Sequence, residues 1–593
     1  MKKSIVLKIS SLMLALLMVL CVAVSCDFGN SGQESTSHEI SISESSASES
    51  LSESEKVESS AISSESSKVE STEESNESSE STEIESTEET ETNTILGDEV
   101  EYAASFKVSN VFDSDMVVQR NEYVRVWGWA DESENGKKVS ASFMGYTADA
   151  LIENGEWEIV FHQKFAANTS LGNDLVVYSG EVEFVFEDVL IGDVFMIIGQ
   201  SNVQYSMSAY LNDEPDLKWT KELLKEDSII RYNYNSNTQR EGYPTIGTDE
   251  VCIDAINDFG WIKPDSSNIN SLSAIGYFIA NQIVEATENG IPVGISQFSA
   301  NGRPLSVFMP NALAEELGSD YFDESRGIYI DNYYSHVEAR YMYNQYLNPF
   351  ERMPVAGIIW YQGEAESNET LSTVYVERFT TLIEYMRSTH NLVNKEFPVF
   401  YVEFPSVYKV EGSSAYLDTG RIRATACMIP QSLSNSYIAV CSDLWNNKTN
   451  NNNIHPYCKY EQAERVSAIM EAVIYGTKNL DEATGPILES YELSSDRKTM
   501  VLKFSNYGEG LTTSDGGTTI IGMSGLTNKN KINTNCTVTA EITAPDTITI
   551  KFSRASFGIA YNYVAANFFG EDINLCDSYG NPASAFWIFV PVD

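Results

Sequence analysis

Positive charge is what this chain has least of. Its 593 residues carry 38 Lys and Arg against 86 Asp and Glu, a formal net charge of −48. Binding to nucleic acid is driven by Lys and Arg neutralising phosphates, so that class of partner is excluded. Histidine is scarce too, with five in all, which narrows any search for a general base to a handful of positions. Eight cysteines are present, but Cys252, Cys427, Cys441, Cys458, Cys536 and Cys576 are spread too widely for a metal motif or a disulfide scaffold. Spacing leaves open a bridge between Cys441 and Cys458. No His/Cys/Asp cluster has ligand spacing and no glycine-rich phosphate loop appears, so no metal or cofactor is expected.

The amino terminus reads Met1-Lys-Lys, an apolar stretch from about Ile9 to Val24, then Val24-Ser25-Cys26. A basic head, a short apolar middle and small residues before the cut make residues 1–26 a signal peptide. Cys26 at the junction is the candidate lipidated terminus of a bacterial lipoprotein, with simple secretion as the alternative because Ala23 stands where the usual motif has Leu. The expected location is the outer side of a bacterial membrane, reached only through the lipid. Residues 27–99 hold 21 acidic residues against Lys56 and Lys68, among many Ser and Thr. Such a composition buries too little apolar surface to offset chain entropy, so a disordered stalk is expected.

Beyond the stalk the patterning changes three times. Residues 101–190 show short alternating runs between Gly, Asn and Asp turns, the period of a β-sandwich. Residues 191–480 show apolar runs at Val194 to Gly199, Val293 to Phe298, Val355 to Tyr361, Phe397 to Glu403 and Ile438 to Ser442. Helices are predicted near 271–288, 332–348, 371–389 and 461–475. Apolar strands joined by helices predict an α/β domain with a parallel sheet covered on both faces. Residues 213–270 fit poorly and read as an insertion shaping the cleft. Short strands return over residues 481–593, predicting a second β-sandwich.

Val194 to Gly199 ends abruptly in Gly199-Gln-Ser-Asn202, which places Ser201 at the carboxyl edge of a buried strand, where open α/β sheets keep their chemistry. Serine chemistry also needs a base and donors aimed at the developing oxyanion. His38 lies in the stalk, His162 in the first sandwich, and His336 and His390 in or beside predicted helices. His455 alone sits in a loop between a strand and a helix, and is the candidate base. Candidate oxyanion donors are the Ser201 N–H, the Gly302 N–H and the Gln362 side-chain amide. Gly302 qualifies because a residue without a side chain lets backbone approach a ligand.

Gly199-Gln-Ser-Asn202, Ser299-Ala-Asn-Gly-Arg-Pro304, Trp360-Tyr-Gln-Gly-Glu364 and Ile454-His-Pro456 together resemble the sialate O-acetylesterase family of SGNH hydrolases. The resemblance extends to Met116-Val-Val-Gln-Arg120, Val126-Trp-Gly-Trp-Ala130 and residues 575–586. It implies a flavodoxin-like three-layer α/β/α hydrolase domain, flanked by the two β-sandwiches and acting on O-acetylated carbohydrate. O-acetylated sialic acid is the leading substrate, with acetylxylan or another acetylated polysaccharide as the alternative; no protein partner is implied. One departure stands out. The family's loop usually reads Asp-Ile-His-Pro, and here it is Asn453-Ile-His-Pro456, so the acid of the triad is missing from its place. Glu364 is the favoured substitute, Asp443 the alternative, and a dyad without an acid the third. That gap also keeps alive a catalytically silent, glycan-binding surface lipoprotein. Asn202, Asn301 and Arg303 are candidate substrate contacts. The guanidinium of Arg303 could meet a sugar carboxylate in bidentate fashion, or pair with Glu364 or Glu366 instead.

Overall fold

The computed structural model describes residues 92–213, 224, 229–235, 250–256, 259–403, 419–444, 455–529, 531–561 and 573–591. The leader with Cys26, nearly all of the stalk, Asn453 and much of 213–270 lie outside the described residues. The end of the stalk is an exception to its predicted disorder. Asn93 donates to the Thr147 carbonyl at 3.1 Å and accepts from the His162 N–H, and the Leu96 N–H bonds to Asp149 at 2.8 Å.

At the centre lies a sheet whose middle strand, β1 (Leu190–Gly199), is buried at all ten positions. Burial of successive residues, which point to opposite faces, means that both faces are covered. The other strands are β2 (Ile230–Asn235), β3 (Phe259–Ile262), β4 (Val293–Ser299), β5 (Gly357–Tyr361), β6 (Val399–Val402) and β7 (Ser436–Ala439). They lie in the order β3-β2-β4-β1-β5-β6-β7. All neighbours are parallel except β3, which pairs antiparallel to β2 at one edge. The chain fills one side of β1 and then crosses to the other, so β1 is the switch point where a crevice opens beyond the carboxyl ends. Helix α1 (Ala274–Ala286) packs on β4 and on α3 (Lys459–Met470), while α2 (Glu369–Thr389) packs on the helix Thr419–Ala426.

Two elements differ from expectation. Residues 213–270 are not merely an insertion, because Ile230–Asn235 and Phe259–Ile262 extend the central sheet. Their Arg, Tyr and Asn content hides the apolar signal of a strand. The helix expected over 332–348 begins only near Tyr341, because Arg340 sits at φ 66°, outside the helical region. Upstream lies a hairpin instead, Asp320–Asp323 with Ile328–Asp331.

Residues 107–186 form two antiparallel sheets of three and four strands. They are not walled off from the central sheet. Val117–Gln119 pairs parallel with the start of β1, and apolar residues from both regions share one core. Residues 487–589 form further antiparallel sheets around a core of their own, including Met500, Leu502, Ile548, Ile550 and Phe586.

Candidate active site

Three strand ends meet at one point. In register, Gly199 faces Ser299 of β4 on one side and Tyr361 of β5 on the other. A Cβ added at Gly199 would lie 2.1 Å from the Tyr361 carbonyl oxygen, so only glycine lets β1 and β5 approach this closely before the turn. Gln200 makes the turn, and half-buried Ser201 opens a helix of a single turn, Ser201–Gln204. Gly302 stands exposed beyond β4 at φ 62° with open space where a Cβ would be. Among the described residues neither the Ser201 N–H nor the Gly302 N–H donates to another protein group. Both are open to an incoming oxygen.

Asn202, 1 % exposed, links the turn to two other elements. Its Nδ2 donates to Glu364 Oε1 at 2.6 Å, and its Oδ1 accepts from Lys459 Nζ at 2.7 Å. Lys459 is fully buried at the start of α3, over the rings of Tyr361 and Tyr205, and also donates to Gln462. Gln462 in turn donates to the Tyr361 hydroxyl at 2.9 Å. Half-buried His455 lies four residues before Lys459, so this network draws the loop of the candidate base toward the turn of the candidate nucleophile. Burial raises the Glu364 carboxyl to about 7, with the Asn202 bond and the Lys459 charge pulling the other way. Burial likewise lowers Lys459 to about 7.

Several candidate roles change. Glu364 does not orient the base: its hydrogen bond goes to Asn202, and none among the described residues joins it to His455. Asp443 is held by Arg465 in a two-point ion pair, with one contact at 2.7 Å, so it is committed elsewhere. Gln362 is fully buried, and its amide donates to Glu366 Oε2 at 2.6 Å and to the Arg303 carbonyl at 3.2 Å. Both protons are spent, so it offers none to an oxyanion. Asn202, buried and bonded at both ends of its amide, is not a substrate contact. Cys441 and Cys458 are free buried thiols rather than a bridge. No hydrogen bond among the described residues joins the Ser201 hydroxyl to the His455 ring.

Asn301 and Arg303 do lie at the rim, exposed and half-buried respectively, on either side of Gly302. Neither carboxylate weighed as a partner for Arg303 takes it. Glu364 bonds to Asn202, and Glu366 accepts from Gln362 and from the Leu305 N–H. Among the described residues the Arg303 guanidinium has no ion pair. Lys459 is a buried polar residue given no role from the sequence, while Glu366 and Glu403, named there only as a partner for Arg303 and as a strand end, are buried hydrogen-bond acceptors. Glu403 accepts from the Cys441 and Ser442 N–H groups and so sets how the chain leaves β7. Only the closeness of Lys459 to His455 along the chain hinted at its place.

Residues 191–455 match the family model described as carbohydrate esterase, sialic acid-specific acetylesterase. This stretch, under half of the chain, is similar to that family. Sialate O-acetylesterases of Homo sapiens and Rattus norvegicus are each 25% identical, over 330 and 355 residues. The aligned region covers 54% of this chain, and 60% and 62% of those proteins, so the chain spans under two thirds of their length. A carbohydrate acetylesterase from Xanthomonas citri shares the fold at a TM-score of 0.65 and 22% identity, covering 81% of this chain and 99% of that one. The family segment begins one residue into β1 and ends on His455, so it contains both Ser201 and the candidate base.

Proposed function

We propose that this chain removes O-acetyl groups from carbohydrate, with Ser201 as nucleophile and His455 as base. The observation that carries the reading is the meeting of the Ser201 turn, the Gly302 turn and the α3 start at the carboxyl ends of β1, β4 and β5. In this reading Ser201 Oγ attacks the acetyl carbonyl carbon and His455 takes the hydroxyl proton. The N–H groups of Ser201 and Gly302 hold the oxyanion. The sugar oxygen leaves with the proton from His455, and acetyl-Ser201 remains. Water, deprotonated by His455, then releases acetate.

Acetylated sialic acid is the substrate we favour over acetylated xylan, since the guanidinium of Arg303 beside Gly302 is available to a carboxylate. Lipid attachment at Cys26 would set the enzyme on the outer face of the cell, and the flanking antiparallel sheets are read as supporting β-sandwiches.

A fluorophosphonate probe is expected to label Ser201 in the wild type. Ser201→Ala should lose both labelling and acetate release from an acetylated sugar. Absence of labelling in the folded wild type would favour a glycan-binding role instead. Arg303→Ala is expected to raise KM for acetylated sialic acid about tenfold, the size of one charge-assisted bond, and to leave that for acetylated xylo-oligosaccharides unchanged. Equal effects on both would remove sialic acid as the preferred sugar.

A further inference from the structure

We propose that Lys459 is a positioning residue for the nucleophile, holding Asn202, the immediate neighbour of Ser201, in one orientation against Glu364. The inference rests on Ser201 being the nucleophile, and it adds a residue to which no role has been given.

The argument starts from the two ends of the Asn202 amide. Its oxygen faces an ammonium at 2.7 Å and its nitrogen a carboxylate at 2.6 Å. The amide dipole therefore lies along the field between the two charges. Flipping it would set donor against donor and acceptor against acceptor, away from bulk solvent, since all three residues are at most 4 % exposed. One rotamer is thus selected at the residue that follows Ser201. Glu364 alone holds it weakly, because beside the Asn202 amide its buried carboxylate has only the N–H groups of its own turn, Gly363 and Glu364, to offset its charge. An uncompensated carboxylate in such a place is costly. Lys459, one amide away, supplies the opposing charge. Because Lys459 opens α3 just after His455, the same bond sets how far the base's loop stands from the nucleophile's turn.

Among the described residues, no ion pair or hydrogen bond brings a second cation to Glu364. Lys459 faces Glu364, Cys458 and Cys441, and Glu364 faces Lys459, Tyr361, Tyr401 and Glu366. Removal of Lys459 thus leaves Glu364 with the Asn202 amide and the N–H groups of its own turn, but with no opposing charge among hydroxyls and another acid.

The test compares wild type, Lys459→Met and Lys459→Met/Glu364→Gln by the rate of Ser201 labelling with a fluorophosphonate, by kcat and KM on a chromogenic acetyl ester, and by melting temperature. Loss of the lysine is expected to slow labelling and lower kcat about tenfold or more, as small misplacements at a nucleophile do, with KM little changed. The double variant neutralises both charges. It should regain melting temperature while labelling stays slow, which a role limited to stability would not produce. Wild-type labelling rates in a folded Lys459→Met protein would overturn the proposal. If that variant does not fold, wild-type rates in the double variant would do so. Failure of the wild type itself to label would instead count against the esterase reading.

Discussion

Glu366 shows how much a single enclosed side chain can reveal. It is 3 % exposed, accepts from the Leu305 N–H and the Gln362 amide, and is nevertheless pushed up to about 8, because burial outweighs both donors. A carboxyl with a raised folded pKa holds its proton more tightly in the native state than in the unfolded one. Its contribution to stability is fully present below its ordinary range near 4.5, and is lost as pH rises through about 8. Glu366→Gln should therefore flatten the fall in melting temperature between pH 5 and pH 8, as measured by thermal unfolding across that range. Lys459 has the opposite sign. Its pKa is depressed to about 7, so its contribution is present above its ordinary range and lost as pH falls through about 7.

At the scale of elements, the site depends on how closely β1 and β5 run. Gly199→Ala would press a methyl carbon against the Tyr361 carbonyl and against Val203, which lies 2.7 Å from the same point. Backbone cannot yield as a flexible side chain can. The substitution is expected to cost about 2 kcal/mol or more by urea denaturation, and to slow Ser201 labelling as well, because the turn moves with the strand. Most strands were legible beforehand, since runs such as Val194-Phe-Met-Ile-Ile198 are apolar on both faces. The exceptions have physical causes: Ile230-Arg-Tyr-Asn-Tyr-Asn235 is polar enough to read as loop, and Arg340 in a left-handed conformation delays a helix that its neighbours would allow to start earlier.

For the molecule as a whole, Asp193 is the fastening point. Buried near the start of β1, it receives Arg120 in a two-point ion pair at 2.8 and 2.9 Å, the Gln119 amide at 3.0 Å and the Tyr475 hydroxyl at 2.8 Å. Residues ahead of the central sheet, within it and beyond α3 thus converge on one carboxylate. Asp193→Asn strands a mostly buried guanidinium, at a cost of about 2–3 kcal/mol. Calorimetry should show the melting of the shared core moving down, while the unfolding of the carboxyl-terminal sheets, which have their own core, stays in place. A single transition shifting as one would show that the two cores unfold together.

Periodicity, turn residues and a few short motifs were enough to give the α/β class of the central sheet and the likeness of its segment to carbohydrate esterases, because these are written locally, in neighbours along the chain. The partnerships of the acids were not legible in this way. Glu364 and Asp443 are both close in sequence or expectation to the base, yet one turned to Asn202 and the other to Arg465, since a buried charge goes to whichever compensating group the packing brings within reach. Lys459 belongs to the same category: 257 residues separate it from Asn202, and only the folded sheet sets the two side by side.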